Sequence, residues 1–237
     1  MSPISDRERL IVALDLPTTN AARRLVEKLG DSVSFYKVGL ELFMGGGYFE
    51  FIDELAEAGK KVFVDLKFFD VPATVERAVA SLQGRNVSFA TVHGNDAMMK
   101  AAAIAKGDIK ILAVTVLTSL DRGDLEDLGF QCNVDELVVS RACRAMQLGC
   151  DGVIASGHEA QKLRQAVGER LLIVMPGIRP VDNIDDQKRT VTPKEAFVRG
   201  ADYIVVGRPI RDAKEPKVAA EAIQTEIVST LAATVST

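Results

Sequence analysis

Short apolar, β-branched runs alternate along the chain with longer stretches of helical period. Leu10–Asp15 (LIVALD) comes first, followed by a helical stretch that begins near Thr18, Thr19 and Asn20, residue types that cap helix N-termini. Ser34–Gly39 (SFYKVG) is the second run, and the pattern then predicts a helix from about Tyr48 to Ala58, closed by Gly59. Lys61–Lys67 (KVFVDLK) is the third, and Pro72 suits the first turn of the helix after it. Val87–Val92, Ile109–Leu117, Gly152–Ala155, Leu171–Met175 and Tyr203–Val206 continue the series, each with a helical segment behind it. The runs are apolar continuously rather than at alternate positions, which predicts strands buried on both faces, as in a parallel sheet covered by helices. Eight such units in 237 residues, without a Pro/Ser/Gly-rich linker, an internal repeat or a low-complexity tract, predict an α/β protein. The expected architecture is a single (β/α)8 TIM barrel spanning residues 1–237. A doubly wound open sheet is the alternative, but no GxGxxG follows the first strand.

A barrel of this kind carries its chemistry at the carboxyl ends of its strands. Several runs end in polar residues there: Asp15, Lys37, Asp65 and Lys67, His93, Thr115 with Thr118 and Ser119, and Gly207 with Arg208. The opposite strand ends are expected to show no such concentration.

Asp65-Leu66-Lys67-Phe68-Phe69-Asp70 places two carboxylates around one ammonium. Residues i and i+2 of a strand point to one side, so Asp65 and Lys67 are expected to share a face. If that face is the barrel interior, the charges must neutralise one another or meet a ligand, because an unpaired buried ion costs several kcal/mol. Lys37, at the end of the neighbouring strand, can join them, giving an alternating array of Lys37, Asp65, Lys67 and Asp70. Carboxylates disfavour charge on a bound anion, while a lysine held between them stays protonated and can donate. The pair suits loss of CO2 from a carboxylate followed by protonation of the carbanion. An ordinary ion-pair network at a barrel mouth is the competing reading.

Phosphate sites in such barrels use the loops after strands seven and eight. Met175-Pro176-Gly177-Ile178-Arg179-Pro180 and Val206-Gly207-Arg208-Pro209 stand there, pairing glycines that let backbone N–H groups approach an anion with guanidinium groups that grip phosphate oxygens. The polar stretch Pro180–Thr192 has no regular period and is expected to act as a closing loop.

Composition narrows the partners. Lys and Arg number 29 against 33 Asp and Glu, a net charge of −4, with pI near 5.4, which argues against a nucleic-acid binder. No run approaches the roughly 18 apolar residues of a membrane span, and the N-terminal MSPISDRERL is charged where a signal peptide is apolar, so a cytoplasmic location is expected. Cys132, Cys143 and Cys150 suggest no disulfide framework, and the seven-residue step from Cys143 to Cys150 matches one helix face. His93 and His158 form no evident dyad, Gly45-Gly46-Gly47 lacks the Lys-Ser/Thr of a P-loop, and Asp182–Asp186 reads as a solvated loop rather than a metal site.

With these residues in hand the chain resembles the orotidine 5′-phosphate decarboxylase family. The match runs from Val12 to about Pro209 through Ala13-Leu14-Asp15, Lys37-Val38-Gly39, the D-x-K-x-x-D-x-P-x-T signature from Asp65 to Thr74, Val116-Leu117-Thr118-Ser119, Pro176-Gly177-Ile178-Arg179-Pro180, Asp186-Gln187-Lys188-Arg189 and Gly207-Arg208-Pro209. The resemblance implies cofactor-independent decarboxylation of orotidine 5′-phosphate to UMP, the last step of UMP synthesis, by a bacterial, single-domain type of enzyme. It implies that Asp15 and Lys37 bind ribose hydroxyls, that Asp65 faces the C6 carboxylate and that Lys67 delivers the proton to C6. Thr118 and Ser119 would contact the pyrimidine, Gln187 would lie between base and phosphate, and Arg179, Gly207 and Arg208 would hold the phosphate. Asp70 and Thr74 would reach into the neighbouring subunit's site of a homodimer. Phe69 and Ala73 depart from the histidine and asparagine of several relatives, outside the charged tetrad. Related sugar-phosphate decarboxylases and hexulose-phosphate synthases share Asp-x-Lys-x-x-Asp but need magnesium; Lys37, the Thr118-Ser119 pair and Gln187 favour the nucleotide. A catalytically dead phosphate-binding barrel is the other alternative, though a mere binder gains nothing from carboxylates beside an anion.

Overall fold

The computed structural model describes residues 4–180 and 190–235. Eight parallel strands close on themselves in sequence order: β1 (Leu10–Ala13), β2 (Phe35–Gly39), β3 (Lys61–Phe68), β4 (Val87–His93), β5 (Lys110–Val114), β6 (Gly152–Ile154), β7 (Leu172–Met175) and β8 (Tyr203–Val206), which pairs back with β1. Helices α1 (Thr19–Leu29), α2 (Leu40–Met44), α3 (Tyr48–Glu57), α4 (Pro72–Ala80), α5 (Asp96–Ala105), α6 (Arg122–Asp127), α7 (Val134–Gln147), α8 (Ala160–Val167), α9 (Pro193–Val198), α10 (Arg208–Arg211) and α11 (Pro216–Val235) connect them. This is the (β/α)8 barrel that the strand spacing predicts.

The predicted punctuation is where the physics requires it. Thr18 caps α1 by accepting the Ala21 N–H, Pro72 opens α4, and Gly59 follows α3 at φ +71°, a conformation that strains any side chain. The continuous apolar strands divide into two cores. Ile11, Phe35, Phe63, Phe89, Leu112, Leu172, Val174 and Tyr203 point into the barrel, while Leu10, Val12, Tyr36, Val62, Val64, Ala90, Ile111 and Ile173 face the helices. Inside, Phe89 packs edge-on against both Phe63 and Tyr203. Gly152 is needed there, since a Cβ would stand 2.7 Å from Leu112 and 2.8 Å from Leu172.

Three expectations change. β5 stops at Val114, not Leu117: the Thr115 hydroxyl donates to the Ile154 carbonyl, and Val116, Leu117 and Thr118 beyond it line the mouth. Cys143 and Cys150 share no helix face: α7 ends at Gln147, Gly149 takes φ +88°, and Cys150 lies beyond the turn. Both still pack on the outer core, and burial pushes the Cys150 thiol up to about 12, with Asp151 adding to the effect. Nor are the amino ends of the strands free of ionic clusters. Asp151 accepts the Ile111 N–H and pairs with Lys106, and Asp202 accepts the Ile173 N–H and pairs with Arg164. These residues belong to the segments before the strands, so they were invisible to a count of strand ends. Among the described residues no helix is long and apolar enough to cross a membrane.

Candidate active site

The carboxyl ends of the strands open on a cavity of about 350 Å³. Asp15, Lys37, Asp65 and Lys67 form one wall, and Arg179, Gly207, Arg208 and Arg211 lie on the β7–β8 side. Apolar side chains, among them Phe63, Val114, Val116 and Ile154, line the floor and remaining sides.

The first wall is a row of alternating charges. Lys37 Nζ lies 2.8 Å from Asp15 Oδ1 and 3.3 Å from Asp65 Oδ2, and Lys67 Nζ lies 2.9 Å from that same Asp65 oxygen. Lys37 and Asp65 are almost wholly buried, 9% and 8% exposed. Burial opposes the charge on Lys37, but the carboxylates of Asp65 and Asp15 outweigh it and raise its pKa above the ordinary lysine value. Burial likewise opposes ionisation of Asp65, and Lys37, Lys67 and the Thr91 hydroxyl outweigh it, holding the carboxyl below its ordinary range. Gly39 leaves room for the row: a Cβ there would come 3.1 Å from both Asp15 Oδ1 and Lys37 Nζ.

Asp65 and Lys67 reach one cavity, though not by simple strand alternation. Val64 pairs with Ala90 and Phe68 with Val92, so four steps along β3 match two along β4 and the intervening residues bulge. Lys67 sits in the left-handed region at φ +47°. That conformation costs a non-glycine residue about 1–3 kcal/mol and persists only where surrounding contacts over-determine it. Here the Lys67 N–H donates to Thr91 Oγ1 at 2.9 Å, and the Thr91 hydroxyl donates to Asp65 Oδ1 at 2.9 Å.

The array lacks one expected member. Asp70 is exposed, with its carboxylate accepting the Val71 N–H, so within one chain the fourth charge is Asp15 and not Asp70. Thr74 is half-buried in the first turns of α4 and accepts a hydrogen bond from Arg77. Thr118 lines the cavity and Ser119, next to it, is exposed and outside the lining. Gln187, Asp182–Asp186 and most of the expected closing loop lie outside the described residues. His93 packs edge-on against Phe69, and burial, with Arg141 and Lys67 nearby, lowers its pKa.

On the β7–β8 side, Gly177 takes φ +77°, and Ile178 bridges Val191 in parallel: the Arg179 N–H donates to the Val191 carbonyl and the Val191 N–H to Gly177. Arg179 is buried and Gly207 opens α10 with Arg208 as its first residue. Two lining or supporting residues escaped the sequence patterns. Arg211, one turn after Arg208, donates to the Asp15 carbonyl and to the Asp212 carboxylate. Thr91 is fully buried, and its one readable signal is a hydroxyl between the buried apolar residues Ala90 and Val92, where it must find a partner.

A site of this design joins a row of balanced charges, its central pair Lys37 and Asp65 buried, to a guanidinium-rich far wall, suited to a substrate with a phosphate at one end and a reacting carboxylate at the other. The model of the orotidine 5′-phosphate decarboxylase / HUMPS family matches residues 8–223. A Methylococcus capsulatus protein named orotidine 5′-phosphate decarboxylase is 63% identical over 98% of this chain and 96% of its own length. One of the same name from Stenotrophomonas maltophilia is 54% identical over 98% and 97%. The crystal structure of orotidine 5′-phosphate decarboxylase from Lactobacillus acidophilus superposes with a TM-score of 0.83 at 39% identity, covering 93% of this chain and 99% of that one. The chain therefore belongs to the orotidine 5′-phosphate decarboxylase / HUMPS family.

Proposed function

We propose that the protein decarboxylates orotidine 5′-phosphate to UMP and CO2 in pyrimidine biosynthesis, without a cofactor, with Lys67 as the proton donor. The observation that carries this reading is the shared Asp65 oxygen, held between two ammonium groups at the wall of the cavity. The C6–carboxylate bond breaks with its electron pair left on C6, CO2 departs, and an Nζ–H proton of Lys67 passes to that pair. Lys67 is left neutral and regains a proton from solvent. Its charge faces the developing carbanion from a position that needs no reorganisation, because Asp65 already fixes it. Asp65, beside the substrate carboxylate, favours its loss. Asp15 and Lys37 hold the ribose hydroxyls, Thr118 and Ser119 the pyrimidine, and Arg179, Gly207 and Arg208 the phosphate, with Gln187 between base and phosphate. Binding energy from the remote phosphate is then available to organise the reacting end.

The working unit in this reading is a cytoplasmic homodimer. Leu40, Met44, Phe69 and Val71 expose more than 60% of their surface on the segments that follow the neighbouring strands β2 and β3, with Phe69 and Val71 flanking Asp70. A second copy covering these segments would bring its Asp70 and Thr74 to this chain's site.

Asp65 is already neutralised by two lysines, so it offers a divalent cation little, which favours the nucleotide over the magnesium-dependent sugar-phosphate reactions. The test is loss of orotidylate absorbance on adding protein in excess EDTA. Turnover is expected to persist; its absence with EDTA, or with and without magnesium, would sink the reading.

A further inference from the structure

β3 and β4 slip register across residues 65–67, and one side chain of β4 spans the slip. Thr91 is fully buried and is not among the cavity-lining residues. Its oxygen accepts the Lys67 N–H while its proton goes to Asp65 Oδ1, each at 2.9 Å. A β-branched side chain is stiff at χ1, so the direction of this hydroxyl follows from the backbone of β4. With Oδ1 so engaged, Oδ2 is the oxygen turned toward both Lys37 and Lys67. Thr115, just past the end of β5, supplies the contrast. It is equally buried, but its hydroxyl donates to the Ile154 carbonyl, a backbone partner.

Resting on the decarboxylase reading above, we propose that Thr91 is a positioning residue for the reaction: its hydroxyl sets the left-handed turn at Lys67 and the rotation of the Asp65 carboxylate before substrate arrives. It does not line the cavity. Its contribution lies in holding the proton donor within reach of C6, where a misplacement of about 1 Å can cost 100-fold in rate.

Three variants test this. Thr91→Val keeps shape and loses the hydroxyl, Thr91→Ser keeps the hydroxyl, and Thr115→Val removes an equally buried hydroxyl that does not line the cavity and donates to the Ile154 carbonyl. The expected result is a kcat about 10- to 100-fold lower in Thr91→Val with KM changed less than threefold. Thr91→Ser should recover to within about threefold of wild type and Thr115→Val should stay within about twofold. A second readout needs no turnover. In the free protein, the pH midpoint of the Asp65 carboxyl carbon shift should rise in Thr91→Val and stay put in Thr115→Val. If the wild type leaves orotidylate untouched, the decarboxylase reading fails and this titration alone decides the positioning role. A wild-type kcat in Thr91→Val, a loss matched by Thr115→Val, or an unmoved Asp65 midpoint would overturn the assignment.

Discussion

Both ends of the barrel hold carboxylates beside cations, and the two ends use them differently. At the amino ends, Asp151 and Asp202 each take a strand N–H and a single long cation, Lys106 or Arg164, so every member serves the sheet it borders. At the carboxyl ends Asp65 is shared by two ammonium groups, Lys37 by two carboxylates, the strand bulges, and the row faces a cavity. A charged cluster at a barrel end is therefore no sign of function in itself. Backbone strain beside a cavity separates chemistry from a staple.

The sharpest way to break that contrast is to remove a member of each cluster. Lys67→Ala should lower kcat by about 1,000-fold or more, the scale of losing a positioned proton donor and its charge. Nucleotide binding, followed by titration calorimetry with UMP, should remain measurable. Normal turnover would end the proton-donor role. Arg208→Ala should act elsewhere in the same cavity, raising KM for orotidylate by about 10- to 100-fold, as expected for lost charge-assisted hydrogen bonds to phosphate. A substrate truncated to lack phosphate should be hardly affected; equal losses on both substrates would remove Arg208 from the phosphate site.

The same contrast explains what the sequence could and could not reveal. The eight strands were legible because burial on both faces leaves a run of apolar residues that no loop carries. Lys37, Asp65 and Lys67 were legible as charges at strand ends, where a core has no use for them. The bulge was not, since i, i+2 spacing predicts one face for residues 65 and 67 whether or not the strand stays regular, and only the β3–β4 register exposes the left-handed Lys67. Asp15 was placed at the site, but its pairing with Lys37 depends on the β1–β2 register, which spacing does not encode. The staples escaped for a related reason: Asp151 and Asp202 look like loop aspartates until strand pairing brings Ile111 and Ile173 against them.

Asp202→Ala probes the other end. It removes the acceptor of the Ile173 N–H and the nearer of the two carboxylates beside Arg164, at 2.8 Å against 3.7 Å for Glu169. A loss of about 1–3 kcal/mol in urea unfolding is expected from the unsatisfied donor, with kcat of the folded enzyme within about twofold of wild type. A fall in kcat without a fall in stability would erase the distinction between the two ends.

The smallest effect concerns pH. Lys37 is shifted above its ordinary 10.5 and Asp65 below its ordinary 3.8, so both stay charged, folded or unfolded, between about pH 5 and 9. The stability from Asp65 is present above 3.8 and lost as pH falls through its folded value; that from Lys37 is present below 10.5 and lost as pH rises through its folded value. Neither gives a slope near neutrality. His93 does. Burial, then Arg141 and Lys67, hold its folded pKa below the ordinary 6.5, so the unfolded chain binds the proton first as pH falls. Its contribution is present above 6.5 and is lost as pH drops through the folded value. The wild-type urea midpoint should therefore decline from pH 7 to pH 5, and His93→Gln should decline less. Identical declines would show that His93 keeps an ordinary pKa, and that the positive field of Lys67 and Arg141 does not reach the ring packed edge-on against Phe69.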